Sequence, residues 1–98
     1  MKKRIICVIG VERSESNFLL HIKESAQALG LLGVVFARDD GSIKIIAEGD
    51  EETLAKFTKK AGQGHSLLNL FTTIDNFFVK WEEPTGEYTD FQIQNAKD

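Results

Sequence analysis

The sequence predicts an α+β fold: a four-stranded antiparallel sheet, spatial order 4-1-3-2, with both helices packed on one of its faces. Three observations predict it. Short apolar runs rich in β-branched residues alternate with two stretches whose apolar residues recur every three or four positions, in the order β-α-β-β-α-β. The second and third strands are separated by four residues of turn chemistry, "RDDG" at 38–41, which joins them as a hairpin. The chain's 98 residues, 42 % hydrophobic and 28 % charged, suit one domain spanning 1–98 with a thin core.

Each element has its own signal. "KRIICVIG" at 3–10 is an apolar, β-branched run closed by Gly10, hence a buried strand, and the polar "VERSES" after it reads as a loop. From about Ser16 the apolar residues Phe18, Ile22, Ala26 and Leu29, with Leu19 beside them, form one helical face. Ser14 and Ser16 are N-cap candidates, and Gly30 stands where a glycine ends a helix. "LLGVVFA" at 31–37 and "SIKIIAE" at 42–48 are the hairpin strands, and Gly49 is expected to break the second of them. Asp50 is positioned to cap the second helix, with Glu51 and Glu52 at the positive end of its dipole. Leu54, Phe57 and Ala61 supply its buried stripe, Lys59 and Lys60 its basic end, and Gly62 its stop. After the loop 62–66, the segment 67–83 holds a strand. Its second half is marked by the alternation of Phe77, Val79 and Trp81 with Phe78 and Lys80, and Pro84 ends it. "GEYTDFQIQ" at 86–94 leaves room for a short fifth strand at the edge, with Tyr88 and Phe91, or Phe91 and Ile93, inward. The arrangement is the ferredoxin-like split βαβ, which hosts many functions and so decides none.

Composition narrows the function classes. The net charge is −3 and acids and bases are mixed along the chain, so no basic surface for nucleic acid or membrane is expected. Lys2-Lys3-Arg4 reads as a solvated chain end. The single cysteine, Cys7, excludes an internal disulfide framework and sits in an apolar run, as a buried inert thiol does. No stretch approaches a membrane span, and the apolar run Ile5 to Ile9 is too short for a signal peptide and is followed by no small-residue cleavage site, so a cytoplasmic location is expected. His21 and His65 have no cysteine or second histidine at metal spacing, and neither metal nor cofactor is expected. Asp39-Asp40 and Glu82-Glu83 suit turn chemistry and a solvated strand end better than acid–base work.

Three segments carry a resemblance: "ALGLLGVV" at 28–35, "DDGSIKIIAEGDEETLAKF" at 39–57 and "WEEPTGEYTDFQI" at 81–93. Through these, and over nearly the whole chain, the sequence resembles the acylphosphatase family, small ferredoxin-like hydrolases of carboxyl-phosphate bonds. The resemblance implies a phosphate cradle of pattern G-x-V-Q-G-V-x-F-R, whose backbone N–H groups lead into the first helix and whose arginine grips the anion. It also implies an asparagine on the second strand that orients the attacking water, with no covalent nucleophile and no metal.

This chain departs from that pattern at the chemistry. Counting back from Gly33, the F-R pair falls on Phe18-Leu19, so the arginine position holds Leu19. Counting back from Asp40-Gly41, the asparagine position holds Ala37. The loop reads Val11, Glu12, Arg13, Ser14, Glu15, Ser16, Asn17, with both family glycines replaced. A slip of one or two residues restores nothing, because no arginine lies between Arg13 and Arg38. The family's Gly-Pro-Pro type turn is replaced by Gly64-His65-Ser66. The expected function is therefore an acylphosphatase-like domain, a pseudoenzyme with weak or no hydrolysis. One alternative is an active enzyme whose site is relocated to Arg13 and Asn17 within an anion-binding loop of Arg13, Ser14, Glu15, Ser16, Asn17 and Phe18. Another is a non-catalytic protein-interaction module. The expected partner is a small anion, phosphate or acyl phosphate, bound to a monomer whose edge strand offers a route to self-association.

Overall fold

The computed structural model describes residues 1–13, 18–62 and 73–94. Its elements are β1 (Lys2–Arg13), α1 (Phe18–Ala28), β2 (Leu32–Ala37), β3 (Ile43–Asp50), α2 (Glu51–Gly62), β4 (Thr73–Glu82) and β5 (Phe91–Ile93). The sheet order is β4-β1-β3-β2-β5. The expected antiparallel 4-1-3-2 core is present, and β5 is added in parallel beside β2, pairing Gly33 with Phe91 and Val35 with Ile93.

The core follows from strand alternation. Ile5, Cys7 and Ile9 of β1 lie level with Ala47, Ile45 and Ile43 of β3, and all six point to the helical side, where they are buried. Phe18, Ile22 and Ala26 of α1 and Leu54 and Phe57 of α2 close over them. Leu19, Leu29, Ala37 and Val79 pack partly buried at the margin. α1 ends as its glycine predicts. Gly30 takes φ +75°, its N–H donates to the Gln27 carbonyl at 3.0 Å, and the Leu31 N–H reaches back to the Ala26 carbonyl at 3.0 Å.

Four local expectations are corrected. β1 runs on to Arg13, through the start of the segment read as a loop, because β4 keeps pairing with it beyond Gly10 by two register shifts. Gly49 does not break β3. It pairs with Lys3, and Leu31 fills the space its side chain would take, so the glycine serves close packing inside the strand. Asp50 stands just ahead of α2, but its carboxylate lies 3.8 Å from the Lys2 ammonium. Of the residues expected inward near β5, Phe91 alone enters the core. Ile93 is 39 % exposed, since a three-residue edge strand meets the core at one position. The loop 63–66, the first part of the segment before β4 and the last four residues of the chain lie outside the described residues.

Candidate functional site

The positions singled out by the sequence fall at one end of the sheet. β1 leaves the sheet at Arg13, and α1 opens at Phe18 only a short way along the chain. Ala37 ends β2, level with Ile43 of β3 and through it with Ile9 of β1. The end of β1, the first turn of α1 and the end of β2 thus lie toward one corner. Of the anion-binding loop, Ser14, Glu15, Ser16 and Asn17 lie outside the described residues, and Arg13 is placed by its backbone, level with Thr73 of β4.

Phe18 is buried, 2 % exposed, as the first core residue of α1. Leu19 follows it in the first helical turn and packs partly buried against the core. Ala37 faces the helical side, as Val35 does two residues earlier, and also packs against the core. Neither side chain has a polar atom. At these two positions the corner offers methyl groups, which neither bind an anion nor orient a water.

In the neighbouring hairpin, Asp40 and Ser42 are committed to the turn. Asp40 Oδ1 accepts from the Ser42 amide at 2.9 Å and from the Ser42 hydroxyl at 2.6 Å, and these bonds hold its carboxyl below the usual range. The Arg38 amide donates to the Ser42 carbonyl at 2.8 Å, and Gly41 takes φ +89° to close the turn. The Arg38 side chain lines a shallow hollow with Phe36 and Lys44, which face away from the helices. It stands on the other side of the sheet from Ala37. Asp39-Asp40 are turn residues here. His21 is half-buried on α1, His65 is outside the described residues, and no group of three metal-ligating side chains occurs among the described residues.

A second polar cluster, which sequence reasoning missed, occupies the opposite end of the sheet. Arg4, read as part of a solvated chain end, has a side chain only 13 % exposed, because β1 pairing sets it level with Glu48 of β3. Glu48 is itself 5 % exposed. Its Oε2 accepts from Arg4 Nη1 at 3.0 Å, the Thr85 amide at 2.9 Å and the Thr85 hydroxyl at 2.8 Å, and its Oε1 accepts from the Gly86 amide at 3.0 Å. Burial pushes the Glu48 pKa up, but the Thr85 and Gly86 amides, the Thr85 hydroxyl and Arg4 outweigh it and hold the carboxyl below the usual range. Glu82 and Glu87 lie 3.7 and 3.6 Å from the guanidinium, and the Tyr88 ring lies 5.8 Å from it. This clasp fixes the segment 83–90 across one end of the sheet and sets β5 on the β2 edge. The signal in the sequence was a charge at alternating positions of two strands, on the side away from the core. A hollow of about 450 Å³ beside it, walled by Leu32, Glu48, Pro84 and Gly86, is at the far end from Ala37. Four protein donors already converge on the two Glu48 oxygens, three of them from Thr85 and Gly86, so the cluster ties the segment 83–90 to the sheet.

Among the described residues no helix is long and apolar enough to cross a membrane. Cys7 is buried and its thiol is pushed up to about 12 by burial alone, so it supplies no nucleophile.

Comparison with known proteins bears on the family of the whole chain. The sequence model of the Acylphosphatase family matches residues 14–93. An acylphosphatase of Pelotomaculum thermopropionicum is 32 % identical over 76 residues, covering 78 % of each chain. An acylphosphatase of Thermotoga petrophila is 35 % identical over 78 residues, covering 80 % of this chain and 81 % of the relative. The crystal structure of acylphosphatase from Bacillus subtilis superposes with a TM-score of 0.79 at 23 % identity, covering 96 % of this chain and 99 % of that one, a likeness of fold. With the order of its strands, the two helices on one face and a match running from the β1–α1 connection through β5, the chain belongs to the acylphosphatase family.

Proposed function

We propose that this chain is an acylphosphatase-fold domain with weak or no hydrolysis of acyl phosphates. One observation carries the reading: Leu19 and Ala37, at the positions where the resemblance implies an arginine and an asparagine, are both apolar and both pack against the core. Hydrolysis of an acyl phosphate gives a carboxylate and inorganic phosphate. Its transition state spreads charge over the phosphoryl oxygens while a water attacks. A leucine provides no counter-charge for those oxygens, and an alanine provides no hydrogen bond to the water. Removing one such donor slows a reaction by about 10²–10³-fold, and here two are missing. Glu12 and Glu15 add negative charge to the loop sequence that an anionic substrate would approach.

The test is hydrolysis of benzoyl phosphate by the purified chain, beside Leu19→Arg combined with Ala37→Asn, and beside Arg13→Ala. We expect the native chain to be within about tenfold of background. The double variant should gain at least ~10²-fold. Rapid hydrolysis by the native chain that collapses in Arg13→Ala would refute this reading and place the site at Arg13 and Asn17.

A further inference from the structure

The sheet face away from the helices carries two full rows of side chains over which the described residues place no second layer. Strand register sets Phe78, Val8, Lys44 and Phe36 in one row across β4, β1, β3 and β2, and Lys80, Ile6, Ile46 and Val34 in the next. Six of these eight are apolar. Phe78 is 67 % exposed, and Ile6, Val8, Val34, Phe36 and Ile46 are half-buried. A solvated face of an antiparallel sheet ordinarily alternates to polar residues. Contiguous apolar side chains left in reach of solvent are the feature from which an interaction surface is built.

The third row, Glu82, Arg4, Glu48 and Leu32, is where the clasp and the segment 83–90 close one end of the face. The apolar rows therefore form a bed with one end walled and the other bounded by the β2–β3 hairpin.

We propose that this bed receives an amphipathic helix of another protein, with carboxylates flanking its apolar stripe. The charge pattern selects that occupant. Lys44 and Lys80 are the only charged residues in the two rows, and they stand on either side of β1. Lys80 Nζ is 3.4 Å from Glu82 Oε2 at 72 % exposure, a screened pair that a stronger partner displaces, and Lys44 has no ion pair within 4.0 Å among the described residues. The two lysines are one row apart along the strands, roughly 7 Å, and each is one strand, roughly 5 Å, to the side of β1. A helix lying along β1 meets both with acids five residues apart, which are about 7.5 Å apart in rise and about 140° apart around the axis, on opposite flanks of the stripe.

Two other occupants fit less well. A second copy laid face to face brings four ammonium groups into one apolar interface, with no carboxylate in either pair of rows. An anionic bilayer meets a chain of net charge −3, whose hairpin carries Asp39 and Asp40 at the hairpin end of the bed.

The experiment titrates the intact chain with a synthetic 18-residue amphipathic peptide carrying glutamates five apart on the flanks of a leucine stripe. Methyl NMR shifts of Ile6, Val8, Val34 and Ile46 are followed. We expect those methyls to shift, with Ile5 and Ile45 on the helical side unmoved. Lys44→Glu combined with Lys80→Glu, both at the surface, should weaken the acidic peptide by at least about tenfold and favour the same peptide with lysines in place of the glutamates. Unchanged far-UV dichroism and melting confirm that the variant is folded. The proposal fails if the acidic peptide leaves these methyls unmoved or if the charge-reversed variant binds it equally well. It also fails if the same methyls shift with protein concentration alone, which assigns the face to self-association. Shifts produced only by anionic phospholipid vesicles assign it to a membrane surface.

Discussion

At the scale of single residues, Glu48 shows how burial and hydrogen bonding oppose each other and which wins. A lone carboxylate at 5 % exposure would rise in pKa, yet four donors hold this one below the ordinary glutamate range. The folded pKa is therefore lower than the unfolded one. The stabilisation is complete above the ordinary value of about 4.3 and is lost as pH falls through the folded value. Glu48→Gln should cost about 2–3 kcal/mol at neutral pH, because charged hydrogen bonds are lost while Arg4 retains Glu82 and Glu87 nearby. Urea unfolding as a function of pH checks this: the gap between native and variant should be full above the ordinary glutamate value of about 4.3 and narrow as pH falls below it. A gap that stays constant with pH would show that the charge of Glu48 contributes nothing. Leu19 and Ala37 illustrate the opposite case, where the chemistry is legible in residue type alone, because no packing environment makes a methyl group a hydrogen-bond donor.

At the scale of elements, the β2–β3 hairpin and β5 are held together at Gly33. It adopts φ +148°, its N–H donates to the Asp90 carbonyl at 2.8 Å, and a Cβ there would run into the backbone carbonyl of Ile46. Gly33→Ala should thus destabilise the chain by about 2–4 kcal/mol in urea unfolding and raise amide exchange across β2 and β5. Gly86→Ala is the control. Gly86 also has positive φ, +72°, but nothing lies within 4 Å of the added methyl, so the expected cost is about 1 kcal/mol of backbone strain. Equal costs at the two sites would remove steric close approach as the cause. Both helices were readable from sequence, since a 3.6-residue apolar period and a terminal glycine are local properties. The far end of β1 was misread for the complementary reason. "VER" has no strand pattern of its own and is extended only because β4 lies beside it.

At the scale of the whole molecule, one core buried between the sheet and two helices makes Cys7 a reporter of global unfolding. Its thiol is fully buried and pushed up to about 12, so it is neither accessible nor ionised in the native chain at pH 8. Labelling by a thiol reagent should be slow in buffer and should follow the denaturant transition measured by dichroism. Rapid labelling of the native chain would show that β1 opens locally. The sequence by itself determined the order of elements, the helical faces, the hairpin turn and the apolar identity of Leu19 and Ala37. Those are properties of near neighbours in the chain: periodicity, turn geometry and side-chain type. Only the tertiary structure decided that Arg4, forty-four residues from Glu48, is clasped to it under Thr85, and that Gly49 stays in a strand beneath Leu31. It also decided that β5 runs parallel to β2 and that six apolar residues from four strands adjoin on one open face. Each of these is set by strand register, and register is fixed by contacts between segments far apart in sequence, which no local pattern encodes.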